Sequence, residues 1–213
     1  MAQTYAQLRL DLASALAGFL DPQEAHAEAF RWFEEGLGLG RSWLVLHGEE
    51  PVPDGTRHEV EGWLVRRRTG EPWAYILGWT EFRGRRFQVD RGTLIPRPET
   101  ELVLEAALDI GRRLKVSRVC DIGTGSGILA ASFALETDWA VTATDLSPEA
   151  LAVARRNAGN LAAKVTFLQG DLLVPVPDPL ELVVSNPPYV DPADRPGLQR
   201  ELDFEPTMAL FAE

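Results

Sequence analysis

Apolar residues in the first part of the chain recur at helical spacing. Leucines stand at every fourth position from Leu8 to Leu16, which predicts an amphipathic helix over residues 4–20. Asp21-Pro22 is then typical of an N-cap followed by proline at the first helical position. Clusters of glycine and proline divide the helices that follow, which are predicted through Phe33 and over residues 42–47 and 56–68. We expect a small helical domain over residues 1–77, with its tryptophans in the core or at the rim.

The pattern changes from residue 78 onward. Phe82 and Phe87 flank Gly84 in an alternating pattern, which predicts a β-hairpin linker over residues 78–93. Helical and strand patterns then alternate, with a helix over 99–113 and strands at 118–122, 140–144, 165–168 and 180–185. The strands are nearly continuous apolar runs, which is typical of a parallel sheet covered by helices on both faces. We therefore expect an α/β, Rossmann-like domain over residues 94–213.

A glycine-rich turn directly follows the predicted strand at 118–122. Glycines in such a turn let the backbone approach a ligand closely at the amino end of a helix. Ile128 stands where a dinucleotide fingerprint needs Gly or Ala, and no Gly-Lys-Ser/Thr follows for a phosphate loop. The remaining pattern is typical of sites for S-adenosylmethionine (SAM), although a structural turn and another nucleotide are alternatives. The residues of the turn predicted to contact SAM are Asp121, Gly123, Thr124, Gly125, Ser126 and Gly127, and Asn186 further along the chain is predicted to contact it as well.

Two acidic residues follow the next two predicted strands. Because ligands of parallel sheets bind beyond the carboxyl ends of the strands, both acids are expected at the same edge as the glycine turn. Asp145 is predicted to accept hydrogen bonds from ribose hydroxyls, the alternative being a helix cap, for which Ser147 is better placed. Asp171 is predicted to accept from an adenine amino group while Leu172 packs on the ring; an ordinary turn aspartate is the alternative.

The segment Asn186-Pro187-Pro188-Tyr189 follows the last predicted strand. An amide or aromatic amine nitrogen is a poor nucleophile, and a site assists it by accepting both of its N–H bonds. The side-chain oxygen of Asn186 and the carbonyl of Pro187 are two such acceptors, and consecutive prolines hold them in place. The ring of Tyr189 is expected to wall the planar group. Because this segment is expected to lie beside the predicted SAM site, it predicts methylation of an amide or exocyclic amine nitrogen.

Composition narrows the partners of such an enzyme. A net charge of −11 argues against general binding to a nucleic acid backbone. Arginines outnumber acids between residues 62 and 97, which indicates either a solvated face or a docking strip for an acidic or RNA-associated partner. The single cysteine, Cys120, is expected to be a buried strand thiol. The sequence contains neither a membrane-length apolar run nor a signal peptide, so we expect a cytoplasmic protein. The three histidines are scattered without metal-ligand spacing, so we expect no metal site.

Over nearly its whole length the chain resembles the peptide chain release factor glutamine methyltransferases, also called the HemK family. The resemblance implies that the helical domain helps to dock a release factor and that the second domain methylates the glutamine of its Gly-Gly-Gln loop, using SAM. It implies further that Gly123–Gly127, Asp145 and Leu172 contact SAM and that Asn186–Tyr189 hold the glutamine. Leu172 stands where family members often carry an aromatic residue. The segments that carry the resemblance are Gly70–Pro72, Tyr75–Gly78, Leu94–Glu101, Asp121–Gly127, Asp145–Ser147, Gly170-Asp171, Ser185–Tyr189 and Glu205-Pro206.

Other functions fit parts of this pattern. Glutamine methylation of ribosomal protein L3 uses similar motifs, but the segment Pro96–Glu101 resembles the release factor group. Methylation of adenine on its amino nitrogen uses the same logic at Asn186–Tyr189, and a noncatalytic binding protein is a third class. Members of the family look as if they need three strands beyond the four predicted here. We therefore expect the second domain to be incomplete at its C-terminus and less stable and less active than a longer chain.

Overall fold

A computed structural model describes residues 2–177 and 179–211 of the chain. The chain divides into two compact units, Met1–Leu77 and Gly78–Glu213. None of the helices in the described ranges combines the length and the apolar character that a bilayer crossing requires.

The first unit is helical, as predicted. The hydroxyl of Thr4 caps the first helix and the carboxylate of Asp21 caps the second. The first helix ends at Leu16, earlier than predicted, and a short helix after Pro72 was not predicted. The elements are α1 (Tyr5–Leu16), α2 (Pro22–Arg31), a π-helical turn (Trp32–Gly36), α3 (Arg41–His47), α4 (Asp54–Arg68) and α5 (Trp73–Leu77).

Aromatic residues fill the core of the first unit. Trp32 and Phe33 are fully buried, and the ring of Trp32 stacks on that of Trp73 at 4.7 Å. Trp63 meets both indoles edge-on. The indole N–H of Trp73 donates to the carboxylate of Glu35 at 2.7 Å, so this buried polar group is paired. Trp32 lies in the core and Trp63 packs against it partly buried, so the prediction of a place in the core or at the rim is confirmed for these two.

The second unit begins with a β-hairpin and continues as alternating strands and helices. Its elements are β1 (Trp79–Phe82), β2 (Arg85–Gln88), α6 (Thr100–Leu114), β3 (Arg118–Ile122), α7 (Ile128–Glu136), β4 (Ala140–Asp145), α8 (Pro148–Asn160), β5 (Val165–Gln169), β6 (Leu182–Ser185), two 3-10 turns (Pro192–Gly197 and Arg200–Phe204) and α9 (Thr207–Leu210). The last strand starts at Leu182, two residues later than predicted. The closing 3-10 turns and α9 were not predicted.

Strands β3 to β6 form one parallel sheet in the order β5-β4-β3-β6. Ile122 at the end of β3 is in register with Thr144 of β4 and with Ser185 of β6, so β3 and β6 end at one level and β4 ends one residue later. Val119 and Cys120 are fully buried in β3, and burial raises the pKa of the Cys120 thiol to about 11. The predicted parallel α/β sheet and the buried strand thiol are confirmed.

The arginines that suggested a docking strip mostly contact residues of their own unit. Arg66 donates to the carboxylate of Glu71 and to the carbonyl oxygens of Tyr75 and Ile76 at the end of α5. In the second unit, Arg83 and Arg85 both pair with Glu136, and the guanidinium of Arg86 lies 4.1 Å from the ring centre of Trp79. These contacts favour a structural role for the arginines over a docking role.

Candidate active site

A cavity of about 300 Å³ opens at the carboxyl ends of the parallel strands. Its position agrees with the general location of ligands in open α/β sheets. Most of the predicted site residues meet here, and several residues not predicted join them. The lining comprises Gly92–Leu94, Pro96, Thr100, Asp121–Ser126, Ile128, Leu129, Thr144–Ser147, Ala150, Gly170–Leu172, Ser185–Pro188, Pro206, Met208 and Ala209.

The glycines of the turn after β3 serve two different purposes. Gly123 and Gly125 have φ angles of 66° and 55°, and among the described residues no atom lies within 4 Å of an added Cβ. Both line the cavity, so their bare backbone leaves room for a ligand. Gly127, at φ 81°, packs instead on α8, where an added Cβ would lie 2.9 Å from the Cβ of Ala154. Gly127 therefore shapes the turn without lining the cavity.

Asp121 lines the cavity and carries a buried carboxylate oxygen that has no hydrogen-bond partner among the described residues. Its Oδ2 accepts from the hydroxyl of Thr124 at 2.6 Å and from the amide of Ala130 at 3.2 Å. Within the described part of the chain, its Oδ1 and the Oγ1 of Thr144 are buried without a hydrogen-bond partner. Burial raises the pKa of Asp121 to about 7. A cationic ligand with N–H donors, such as the methionine end of SAM, fits this site because it would pair with the carboxylate.

Asp145 holds the glycine turn through its carboxylate. Its Oδ2 accepts from the amide of Gly125 and its Oδ1 from the amide of Ser147, both at 2.9 Å. The hydroxyl of Ser147 accepts from the amide of Ala150 and caps α8, as predicted. A carboxylate has about four acceptor positions, so Asp145 retains capacity for the two hydroxyls of a ribose.

Asp171 and Leu172 lie in the turn after β5. Both line the cavity, and the carbonyl oxygen of Asp171 accepts from the amide of Val174 at 2.9 Å. Leu172 adopts a left-handed backbone conformation with φ 47°, and 61% of its surface is exposed. An apolar side chain held open at the mouth of the cavity is suited to pack on a flat ring.

The segment after β6 brings three of its four predicted residues to the cavity. Asn186, Pro187 and Pro188 line it, whereas Tyr189 is 75% exposed and lies outside the lining. The amide of Val190 donates to the carbonyl oxygen of Leu210 at 3.0 Å, which ties the end of the segment to α9. The predicted role of Tyr189 as a wall for the substrate stays a prediction.

Sequence reasoning missed one buried residue that supports the glycine turn. Asn157 of α8 accepts from the amide of Gln88 at 2.7 Å and donates to the carbonyl oxygens of Gln88 and Ser126 at 2.9 and 2.8 Å. It therefore joins the hairpin to the turn from behind the cavity. An asparagine on a helix gives no local signal of this role, because its partners lie 69 and 31 positions away in sequence.

Sequence reasoning also missed one wall of the cavity. Leu94 and Pro96 precede α6, while Pro206 and Met208 belong to the last described segment of the chain. These segments carried the family resemblance, but without a local chemical pattern that would place them at the site.

Comparison with known proteins identifies both units. Residues 9–78 match the family model described as PrmC N-terminal domain, and residues 99–202 match the model described as Methyltransferase small domain.

Curated relatives cover most of the chain and share one name. A release factor glutamine methyltransferase of Bordetella pertussis is 44% identical over 91% of this chain and 73% of its own length. Those of Neisseria gonorrhoeae and Enterococcus faecalis are 46% and 37% identical, over 80% and 100% of this chain. The chain spans 63% and 76% of the length of these two relatives. The predicted methyltransferase class and its cofactor, SAM, are thereby confirmed, and the chain belongs to the family of release factor glutamine methyltransferases.

Proposed function

We propose that this protein transfers a methyl group from SAM to the side-chain amide nitrogen of the glutamine in the Gly-Gly-Gln loop of peptide chain release factors. The observation that carries this proposal is a single cavity lined both by the glycine turn and by Asn186–Pro188. The cytoplasm is the proposed location, since release factors act there.

Residues on the sheet side of the cavity are suited to hold SAM. Gly123 and Gly125 provide the open backbone, Asp121 the unpaired carboxylate oxygen, and Asp145 the acceptors for the ribose. Leu172 and Asp171 would flank the adenine. The cofactor supplies an electrophilic methyl carbon attached to a positively charged sulfur.

Residues after β6 are suited to prepare the acceptor. Delocalisation of the amide lone pair makes glutamine a weak nucleophile. The side-chain oxygen of Asn186 and the main-chain carbonyl of Pro187 can accept the two N–H bonds and turn the nitrogen lone pair toward the methyl carbon. Pro187 and Pro188 restrict the backbone, so the acceptors are in place before the substrate arrives. Orientation of this kind contributes up to roughly 7–11 kcal/mol in well-aligned intramolecular reactions.

The charges balance without a dedicated strong base. The amide nitrogen forms the new N–C bond while the bond between carbon and sulfur breaks. The positive charge of the sulfur thereby passes to the nitrogen. The methylated nitrogen is acidic and loses one of its protons to water, which restores a neutral amide. A cavity lined largely by apolar groups would favour methyl transfer followed by proton loss, because the two steps together remove the positive charge from the cavity.

The helical unit is proposed to help dock the release factor. The match of residues 9–78 to the PrmC N-terminal domain supports a docking role for the helical unit. Removing the unit should then raise the KM for a release factor much more than the KM for a short Gly-Gly-Gln peptide.

Labelled SAM tests the proposed activity. Incubation with a release factor should label it, and a glutamine-to-alanine change in its Gly-Gly-Gln loop should abolish the label. Ribosomal protein L3 and DNA serve as parallel substrates. Labelling of either one, with none on the release factor, would contradict the proposal.

A further inference from the structure

A buried carboxylate joins two distant segments at the edge of the cavity. The side chain of Glu205 is 1% exposed, and its Oε1 accepts from the guanidinium of Arg97 at 2.6 Å. Its Oε2 accepts from the backbone amide of Ile95 at 3.0 Å. Both oxygens of one carboxylate therefore hold the segment 95–97, which precedes Glu205 by more than a hundred residues.

The residues beside this contact form the wall of the cavity. Leu94 and Pro96 alternate with Ile95 and Arg97 on one segment, and Pro206 follows Glu205 on the other. The same second segment reaches Leu210, whose carbonyl oxygen accepts from the amide of Val190, directly after Asn186–Tyr189. The wall is thus fixed at one end by Glu205 and at the other by the segment proposed to hold the acceptor.

We propose that Glu205 and Arg97 are positioning residues for methyl transfer, which hold the wall of residues 94–96 and 206–209 against the acceptor segment. This inference rests on the proposed function, because it concerns how the glutamine side chain is held. Neither residue touches the reacting atoms in this scheme. Both residues act indirectly, by holding the apolar wall and Val190 in position.

The ion pair of Glu205 and Arg97 is well suited to hold the two segments in one arrangement. The Glu205 carboxylate is buried, whereas 32% of the Arg97 side chain is exposed. Separating the segments would leave the buried carboxylate without its charged partner, which is costly. Segments 94–97 and 205–206 also contain Pro96 and Pro206, which limit the alternative backbone conformations. A displacement of about 1 Å at a distance from the chemistry can reduce turnover on the order of 100-fold.

Two conservative variants test the proposal in the full chain. Glu205→Gln keeps the shape but turns an N–H donor toward either Arg97 or the amide of Ile95. Arg97→Lys keeps the charge but shortens the reach. Glu99→Gln and Arg86→Lys are matched controls, since neither residue lines the cavity. For each variant, kcat and KM with a release factor are measured beside the Kd for SAM.

We expect kcat/KM for the release factor to fall about 10- to 100-fold in Glu205→Gln and less in Arg97→Lys, with the Kd for SAM within about twofold of the wild type. The double variant should lose little more than Glu205→Gln alone, because the two residues act as one unit. Turnover within twofold of the wild type, or a parallel loss of SAM binding and turnover, would overturn the inference. A wild-type protein that binds SAM without labelling the release factor would count against the proposed function instead.

Discussion

The two sides of the cavity are assembled in different ways. On the cofactor side, carboxylates bind backbone amides and hydroxyls close by in sequence, as Asp121 does with Thr124 and Asp145 with Ser147. On the acceptor side, Glu205 binds Ile95 and Arg97 across separations of 110 and 108 residues. The proposed cofactor side therefore depends more on residues at the strand ends, although Asn157 supports its turn from further away, whereas the wall on the acceptor side depends on contacts across more than a hundred residues.

The largest effect on the acceptor side is expected from Asn186→Ala. Loss of a preorganised hydrogen-bonding group at a reacting centre commonly lowers kcat about 10²- to 10³-fold. The Kd for SAM should change much less than kcat, because most of the proposed cofactor contacts come from the glycine turn, Asp145 and Leu172. Single-turnover kinetics measure the change in turnover, and calorimetric titration measures the Kd for SAM. An equal loss of SAM affinity would contradict the distinction between the two sides of the cavity.

Gly125→Ala should have the converse effect. The added methyl group points into the cavity, so the Kd for SAM should rise at least about tenfold. The left-handed backbone also costs roughly 1–2 kcal/mol of stability with a side chain. Gly84→Ala is the matched control, since Gly84 has φ 69° in the hairpin turn and does not line the cavity. Thermal melts should shift alike in the two variants, and SAM binding should weaken only in Gly125→Ala.

Binding of SAM should depend on pH through Asp121. Because burial raises the pKa of this carboxyl to about 7, a cationic ligand must displace its proton below that pH. The affinity should fall by up to about tenfold per pH unit below 7 and level off above it. In Asp121→Asn the slope should vanish, and titrations at pH 6, 7 and 8 would show this. An unchanged slope in the variant would exclude Asp121 as its origin.

The same carboxyl affects stability in the opposite sense. Its pKa in the folded chain lies above the ordinary value of 3.8. The unfolded chain therefore releases the proton first, and the stability contributed by the protonated form is lost as the pH rises toward 7. Without SAM, the free energy of unfolding of the wild type should therefore fall, relative to that of Asp121→Asn, between pH 5 and pH 8.

The smallest effect is expected where the two sides are joined. The hydroxyl of Ser185 donates to the carbonyl oxygen of Ile122 at 2.9 Å, between the ends of β6 and β3. Ser185→Ala should lower the free energy of unfolding by about 1 kcal/mol and turnover a few-fold. Ser117→Ala is the control, because the Ser117 hydroxyl donates to Glu181 at the other end of the same strands. Turnover reduced equally in both variants would show that stability alone is responsible.

Much of the fold follows from local pattern. The strands at Arg118 and Ala140 start where the apolar runs predict, and Asp21 and Ser147 cap helices because their side chains reach free amides. Helix α5 was missed because five residues are too few for a period of 3.6 to be recognised. The common location of the proposed cofactor residues was predictable for the same reason as the strands, since these residues follow strand ends directly.

The acceptor wall was not predictable from pattern. The partnership of Arg97 with Glu205 depends on which segments the folded sheet brings together, and neither residue stands in a periodic or motif-like context that indicates the other. Asn157 illustrates the same limit, because its three hydrogen bonds join a hairpin, a turn and a helix. Residues of this kind are identified only from tertiary contacts.

The shared level of Ile122 and Ser185 has a consequence for the distance between the two reactants. Gly123 and Asn186 leave adjacent parallel strands from the same rung, and neighbouring strands lie about 4.7–4.9 Å apart. The sheet thus places the proposed cofactor segment and the proposed acceptor segment side by side, at a spacing that backbone hydrogen bonding fixes. Side chains can then adapt to the cofactor or to the protein substrate without altering that spacing.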